Sequence, residues 1–176
     1  MKATQNPFLV NIGFLINQSI GYSREIPFAV ETVEFGDGLS VNQLEGQIEL
    51  IRNQDGFRSQ VAFKGFVESE CGRCLEAFQE ELNGSFEEHF TFPFVDSSDD
   101  EIEVPESGDV DFKPILHDYL LMEIPIKPVC RPDCKGLCDI CGANRNKTAC
   151  GHTHTHDDEE PTNKLDLSGW KKSQKT

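Results

Sequence analysis

The sequence predicts an α+β fold in which an antiparallel, strongly twisted or barrel-like sheet carries one main helix and a zinc-binding C-terminal segment. Two observations favour the sheet: apolar residues recur at every second position in much of residues 24–92, and the chain has 13 Phe against 1 Trp and 2 Tyr. The third observation is a concentration of cysteine after residue 129. The 176 residues suffice for one domain with a core and a small appendage.

Four long strands are predicted from this alternation. Residues 24–35 form the first strand, and the last one follows Cys74. Residues 41–53 and 57–70 form a hairpin around a turn at Asn53–Gly56. The last strand carries a row of apolar side chains: Phe78, Leu82, Phe86, Phe90 and Phe92. One face of the sheet is therefore expected to be buried.

The N-terminal run PFLVNIGFLI is the most apolar stretch, but it is shorter than the roughly 18 residues of a membrane span. Only Lys2 supplies a positive charge before it and no small-residue cleavage site follows, so a strand is favoured over a signal peptide. A cytoplasmic protein is expected. Clustered cysteines in that compartment indicate metal binding and not disulfides.

A loop and a helix are predicted between the sheet and the cysteines. Residues 93–109 combine proline with dense acid, which predicts a solvated loop. A helix is predicted at about residues 112–123, with Asp111 as its N-cap and Pro125 as its stop. Its apolar stripe consists of Phe112, Ile115, Leu116, Tyr119 and Leu120.

The predicted organisation is a β-rich core domain over residues 1–125, a cysteine-rich segment over 126–156 and a polar tail over 157–176. Charge is uneven along the chain: residues 76–111 hold 13 acidic residues and no Lys or Arg, whereas residues 127–150 hold five basic residues and two acidic ones. With a net charge of −15, the whole molecule repels nucleic acid. Contact with RNA is expected only through the basic segment.

Two CxxC pairs and three further cysteines are the candidate metal ligands. Both thiolates of a CxxC turn can face one ion, and zinc takes four such ligands in a tetrahedron. The candidates suffice for one or two structural zinc ions: Cys71, Cys74, Cys130, Cys134, Cys138, Cys141, Cys150 and His152. The spacing leaves open which of them share an ion. It also leaves open a single site in the C-terminal cluster, with Cys71 and Cys74 as a separate thiol pair.

The motifs argue against catalysis. Thiolate-rich zinc sites are closed, whereas a catalytic zinc keeps an open position. The sequence contains no HExxH, GxSxG, Walker or GxGxxG motif. His89 and His117 are expected to be solvated, and His154 and His156 continue a polar tail. The chain is interpreted as a non-enzymatic protein.

Basic residues among the cysteines define a candidate contact surface for a partner. The candidate contacts are Arg131, Lys135, Arg145 and Lys147, with Asn144 and Asn146 among them. This arrangement is similar to zinc knuckles that contact RNA. The alternative left open is that the basic charges offset the net −2 charge of a tetrathiolate zinc site.

Longer motifs resemble a known family. The segments ECGRCLEAF, PILHDYLLMEIPIKPVC and CKGLCDICGANRN are similar to the YceD-like family of bacterial and plastid proteins, over about residues 24–165. Arg145 and His152 depart from the family's usual Leu and Cys. The resemblance implies a non-enzymatic factor for large-subunit ribosomal RNA accumulation in ribosome biogenesis. The partner would be large-subunit ribosomal RNA or a pre-ribosomal protein.

The alternative hypothesis is a zinc–thiolate redox switch, in which oxidation expels the metal and exposes a binding surface. Exposed cysteines of low pKa beside basic residues would favour the switch.

Overall fold

The computed structural model describes residues 6–93, 95 and 102–152. The α+β class is confirmed. In chain order, the described elements are β1 (Leu9–Asn11), α1 (Gly13–Ile16), β2 (Ser23–Gly36), β3 (Leu39–Arg52), β4 (Gly56–Glu70), β5 (Ala77–Thr91), β6 (Ile102–Glu103), β7 (Asp109–Asp111) and α2 (Lys113–Glu123).

The main sheet has the strand order β2-β3-β4-β5-β6. Its first four strands form an antiparallel meander, and β6 adds to β5 in parallel. Within the part of the chain that the structure describes, β2 and β6 do not pair with each other, so the sheet is open and the barrel-like alternative is wrong. The predicted β3–β4 hairpin is present, and the Asn53 side chain accepts a hydrogen bond from the Gly56 backbone nitrogen at 2.6 Å across its turn.

The core lies on one face of the main sheet because register aligns its apolar positions. Ile48, Val61 and Phe86 are partners across β3, β4 and β5, and all three are buried. Helix α2 packs on this face, where the Tyr119 ring stacks on Phe86 with 4.0 Å between ring centroids. The Tyr119 hydroxyl donates a hydrogen bond to Glu88 Oε1 at 2.9 Å. The helix is thereby fixed to β5.

Helix α2 begins and ends close to its predicted limits. Asp111 accepts a hydrogen bond from the Lys113 backbone nitrogen at 2.9 Å, although the N-cap position is Phe112, one residue later than predicted. The helix ends at Glu123, and Ile124 is extended. An extended residue is what proline at the next position favours, because its ring crowds a helical predecessor.

Three other predictions need correction. The acidic loop is ordered into β6 and β7 after residue 101, and Val104 between them is 2% exposed; residues 94 and 96–101 lie outside the described residues. The N-terminal strand is only three residues long, and helix α1 follows it. His117 is not solvated: its side chain is 16% exposed and its ring stacks on Phe35.

No helix among the described residues has the length and apolarity needed to cross a membrane. The three-part division of the chain stays a prediction, and the polar tail lies outside the described residues.

Candidate metal centre

The structure brings the eight predicted ligands together in two groups of four. Cluster A consists of Cys71, Cys74, Cys130 and Cys134, and cluster B consists of Cys138, Cys141, Cys150 and His152. In each cluster the ligand atoms lie within 4.8 Å of one another. Cys71 and Cys74 therefore do not form a separate thiol pair, because they lie beside Cys130 and Cys134.

Cluster A joins the β4–β5 corner to the segment after α2. The corner is tight: the Leu75 backbone nitrogen donates to Cys71 O at 2.9 Å, and Leu75 has a φ of 58°. The Gly72 backbone nitrogen donates to Pro128 O at 2.9 Å, which holds the second segment against the corner. Two cysteines from each segment then point into one buried space.

The sulfur spacing of cluster A fits a tetrahedral metal site. The Cys71 and Cys134 Sγ atoms are 3.8 Å apart, as are those of Cys74 and Cys130. A tetrahedron with zinc–sulfur bonds of about 2.3 Å has edges of about 3.8 Å, whereas a disulfide bond is about 2.05 Å long. All seven cysteines are unbridged. The residues therefore fit a closed tetrathiolate zinc site.

The pKa values of Cys71 and Cys130 in cluster A are shifted in opposite directions. The Cys130 backbone N–H, helped by those of Arg73 and Cys74, lowers the pKa of Cys71 to about 6 despite burial. Burial and the neighbouring thiols raise the pKa of Cys130 to about 12. Adjacent thiolates repel one another, so they do not all ionise unless a cation offsets their charge. A divalent ion would offset this repulsion and allow the four thiols to ionise together.

Cluster B is built on a second CxxC turn. The Cys141 backbone nitrogen donates to Cys138 Sγ at 3.4 Å, and Gly142, with a φ of 70°, takes the left-handed conformation that follows. His152 Nδ1 lies 3.7 Å from Cys138 Sγ. A tetrahedral edge between sulfur and nitrogen is about 3.6 Å. Three thiolates and one imidazole therefore fit a second zinc ion.

The two clusters differ in exposure. In cluster A the half-buried Cys130 is the most accessible ligand, whereas in cluster B both Cys141 and His152 are exposed. Burial opposes ionisation of Cys138, but the N–H groups of Cys141 and Ile140 outweigh it and lower the pKa of Cys138 to about 6. Cluster B is thus the one that solvent and small reagents reach.

Two asparagines expected at a partner surface point inward. The Asn146 amide nitrogen donates to Cys134 Sγ at 3.3 Å, and the Asn146 backbone nitrogen donates to Asn144 Oδ1 at 2.9 Å. Both side chains are half-buried. The physical reason is that a sulfur and several backbone groups lie beneath the loop and need polar partners.

Sequence reasoning missed Arg73. Its guanidinium donates to Cys134 O at 3.2 Å, and its backbone oxygen accepts a hydrogen bond from the Leu137 nitrogen at 3.0 Å. Gly136 lies so close that a Cβ there would be 3.0 Å from Arg73 O. The only signal in the sequence was the position of Arg73 within the first CxxC pair.

The predicted contact residues divide into two kinds. Arg131 Nε lies 3.4 Å from Asp133 Oδ1, and Lys147 forms an ion pair with Glu76. Among the described residues, Lys135 and Arg145 have no ion-pair partner, so no salt bridge neutralises either charge. Metal binding and partner contact by the predicted residues stay predictions, and His154 and His156 lie outside the described residues.

Comparison with known proteins shows the family. A family model described as "Large ribosomal RNA subunit accumulation protein YceD" matches residues 60–167, more than half of the chain. The chain belongs to this family. The matched region contains all eight candidate ligands of the two clusters in this YceD family member.

Curated relatives match over shorter stretches. An uncharacterised protein of Mycobacterium tuberculosis is 34% identical over 96 residues, which cover 52% of this chain and 45% of the relative. A protein of Zea mays named "Large ribosomal RNA subunit accumulation protein YCED homolog 1, chloroplastic" is 40% identical over 52 residues, covering 29% and 18% of the two chains. Each match therefore covers less than half of the length of the relative. No solved structure matches significantly.

Proposed function

We propose that this YceD family member is a non-enzymatic factor for accumulation of large-subunit ribosomal RNA. Two structural zinc ions order a basic segment, and that segment contacts the RNA. The observation that carries the proposal is the arrangement of eight candidate ligand atoms into two groups of four, six of them from the locally basic segment of an acidic chain.

The zinc ions are needed because the segment has no apolar core. Residues 126–152 contain no helix or strand beyond an isolated bridge between Leu137 and Asn144. Apart from Gly136, its buried residues are two ligands, Cys134 and Cys138. Metal affinity then becomes folding free energy for this segment. Both sites are closed by four protein ligands, which supports a structural role and not a catalytic one.

The exposed surface of the segment suits an RNA backbone. The exposed Lys127 and Lys135 and the half-buried Arg145 carry positive charge on a molecule with a net charge of −15. The acidic sheet repels phosphate, so only this end of the molecule faces the RNA. Two or three phosphate contacts give an affinity of modest salt dependence, with a slope of about −2 to −3 in log K against log salt.

The cellular test is the ratio of large- to small-subunit ribosomal RNA after depletion of the protein. We expect the ratio to fall and to recover with the wild type. It should stay low with Cys134→Ser/Cys138→Ser and with Lys135→Glu/Arg145→Glu. Lys64→Glu reverses a charge on the sheet, away from the clusters, and should rescue. An unchanged ratio after depletion would overturn the proposal.

A binding test separates RNA from a protein partner. Titration of fluorescent large-subunit ribosomal RNA fragments with zinc-loaded protein should show binding whose salt slope falls by about 2 in Lys135→Glu/Arg145→Glu. Absence of RNA binding, with the cellular phenotype intact, would indicate a pre-ribosomal protein as the partner. The acidic sheet would then be the expected contact for a basic protein.

A second candidate function is the redox switch, which the exposure of Cys141 and the lowered pKa of Cys138 favour. A peroxide would oxidise these two thiolates to a disulfide and be reduced to water, and cluster B would lose its metal. Fast zinc release under mild peroxide, reversed by a thiol, would support the switch. Slow release of zinc would contradict the switch, and the structural role would be the one that remains.

A further inference from the structure

Asn146 lies between the two clusters both in sequence and in space. It belongs to the loop that separates Cys141 from Cys150, so its chain position is inside cluster B. Its side-chain amide nitrogen nevertheless donates a hydrogen bond to the Sγ of Cys134, a cluster A ligand, at 3.3 Å. A residue held by one candidate metal site therefore contacts a ligand of the other.

The carbonyl oxygen of Asn146 accepts hydrogen bonds from two residues that each follow a cluster A cysteine. Its Oδ1 accepts a hydrogen bond from the Lys135 backbone nitrogen at 2.9 Å and another from Arg131 Nη2 at 2.9 Å. Lys135 follows Cys134 directly, and Arg131 follows Cys130. One side chain thus contacts a cluster A sulfur, the backbone nitrogen directly after it and the guanidinium of Arg131.

The position of Asn146 depends in turn on the loop. Asn144 Oδ1 accepts hydrogen bonds from the Asn146 backbone nitrogen at 2.9 Å and from its side-chain nitrogen at 3.0 Å. The Arg145 backbone nitrogen donates to Gly136 O at 2.9 Å. No residue between 142 and 149 is buried. Apolar packing therefore contributes little to the order of the loop, whose two ends are the cluster B ligands Cys141 and Cys150.

From these contacts we propose that metal at cluster B raises the affinity of cluster A for metal, with Asn146 as the positioning residue between them. The inference rests on the proposed metal binding. A loaded cluster B fixes both ends of the loop and orients the Asn146 amide toward Cys134. That donor holds the Cys134 sulfur in place, as groups hydrogen-bonded to metal ligands orient those ligands. The coupling is reciprocal, because linkage requires it.

The test uses Co²⁺ as the probe on the full-length reduced protein. Co²⁺ occupies tetrahedral thiolate sites, and its absorption distinguishes a four-thiolate site from a site of three thiolates and one imidazole. Both occupancies can then be followed in one titration. For Asn146→Ala we expect the cluster A dissociation constant to rise about 10- to 100-fold, the usual effect of removing a group that orients a metal ligand. Asn83→Ala, an exposed asparagine on β5, is the matched control and should leave it unchanged.

The coupling is tested by removing cluster B. Cys141→Ser/Cys150→Ser should weaken Co²⁺ binding at cluster A to a similar extent. The combined variant with Asn146→Ala should be little weaker than either parent, because both changes remove the same interaction. Asn146→Asp keeps the acceptor for Lys135 and Arg131 but loses the donor, and it should behave like Asn146→Ala.

Each outcome decides something. If Asn146→Ala and Cys141→Ser/Cys150→Ser both bind Co²⁺ at cluster A with wild-type affinity, the coupling is overturned. The proposed metal role still holds in that case, provided that the wild type binds two Co²⁺ ions. Wild-type affinity in Asn146→Asp with weak binding in Asn146→Ala overturns the donor role, since the carbonyl then suffices. Failure of the wild type to bind Co²⁺ overturns the proposed metal role as well.

Discussion

The sheet-and-helix body and the cysteine-rich segment 126–152 are held together by different forces. The body buries large apolar side chains from both helices and from β1, β2, β3, β4, β5 and β7 in one continuous core. The segment contributes Cys134, with the partly buried Val129 and Cys130, to a second small cluster around Cys71 and Cys74. The body can offset its conformational entropy by burying apolar area, and the segment cannot.

The two parts are therefore vulnerable to different changes. Loss of apolar volume should affect the body, and loss of metal should affect the segment. Cluster A is the point at which the two parts meet, because Cys71 and Cys74 belong to the β4–β5 corner.

Metal removal has the largest expected effect. Chelation of zinc, or Cys134→Ser, should make residues 126–152 protease-sensitive while the sheet keeps its circular dichroism spectrum. Apparent metal contributions in small zinc domains are about 10–16 kcal/mol, far more than this segment gains from packing. Limited proteolysis with mass spectrometry checks the result. If the segment stays resistant without metal, its order has another origin and the comparison fails.

A core truncation has the next largest expected effect. Phe57 is fully buried, stacks on Phe90 at 4.7 Å between ring centroids, and lies at the opposite end of β4 from Cys71. Phe57→Ala should lower the free energy of unfolding of the body by about 3–5 kcal/mol. Denaturant unfolding measures this. The bound zinc per folded molecule should not change at low denaturant, and a loss of zinc would mean that the two parts are coupled.

Removal of one hydrogen bond has the smallest expected effect. Tyr119→Phe keeps the ring stacked on Phe86 but removes the bond to Glu88, which should cost about 0.5–1.5 kcal/mol. That bond, with burial, raises the pKa of Tyr119 above its ordinary value of 10.0. The wild type's advantage is therefore complete below about pH 10 and falls as pH rises through the higher folded-state pKa. Unfolding at pH 8 and pH 11 checks this, and a constant difference would contradict it.

The long elements could be predicted from the sequence because each spans enough residues to display its hydrophobic period. The β3–β4 hairpin and helix α2 follow directly from alternation and from an i, i+4 stripe. Strands β6 and β7 contain two and three residues, too few for any period. Whether a meander closes into a barrel depends on its edges, which strand patterns do not specify.

The candidate site was predictable in composition but not in arrangement. Cysteine spacing identified all eight residues, yet grouping Cys71 with Cys134 requires the fold of everything between them. Asn146 was misassigned for a related reason. A polar residue in a loop is usually exposed, and only the structure reveals the Cys134 sulfur beneath it.

Cluster A brings together two cysteine pairs that flank all of β5, the acidic region and α2, and this has a consequence for the order of events during synthesis. The chain is made from its N-terminus at about 5–20 residues per second, so Cys134 follows Cys74 by on the order of 3–12 s. During that interval the first pair of thiols has no partners from the second segment. A metal that bridges the two pairs would therefore bind only after the helix has been made. A chelator would reverse such a cross-link without a reductant, which would distinguish it from a disulfide closing the same loop.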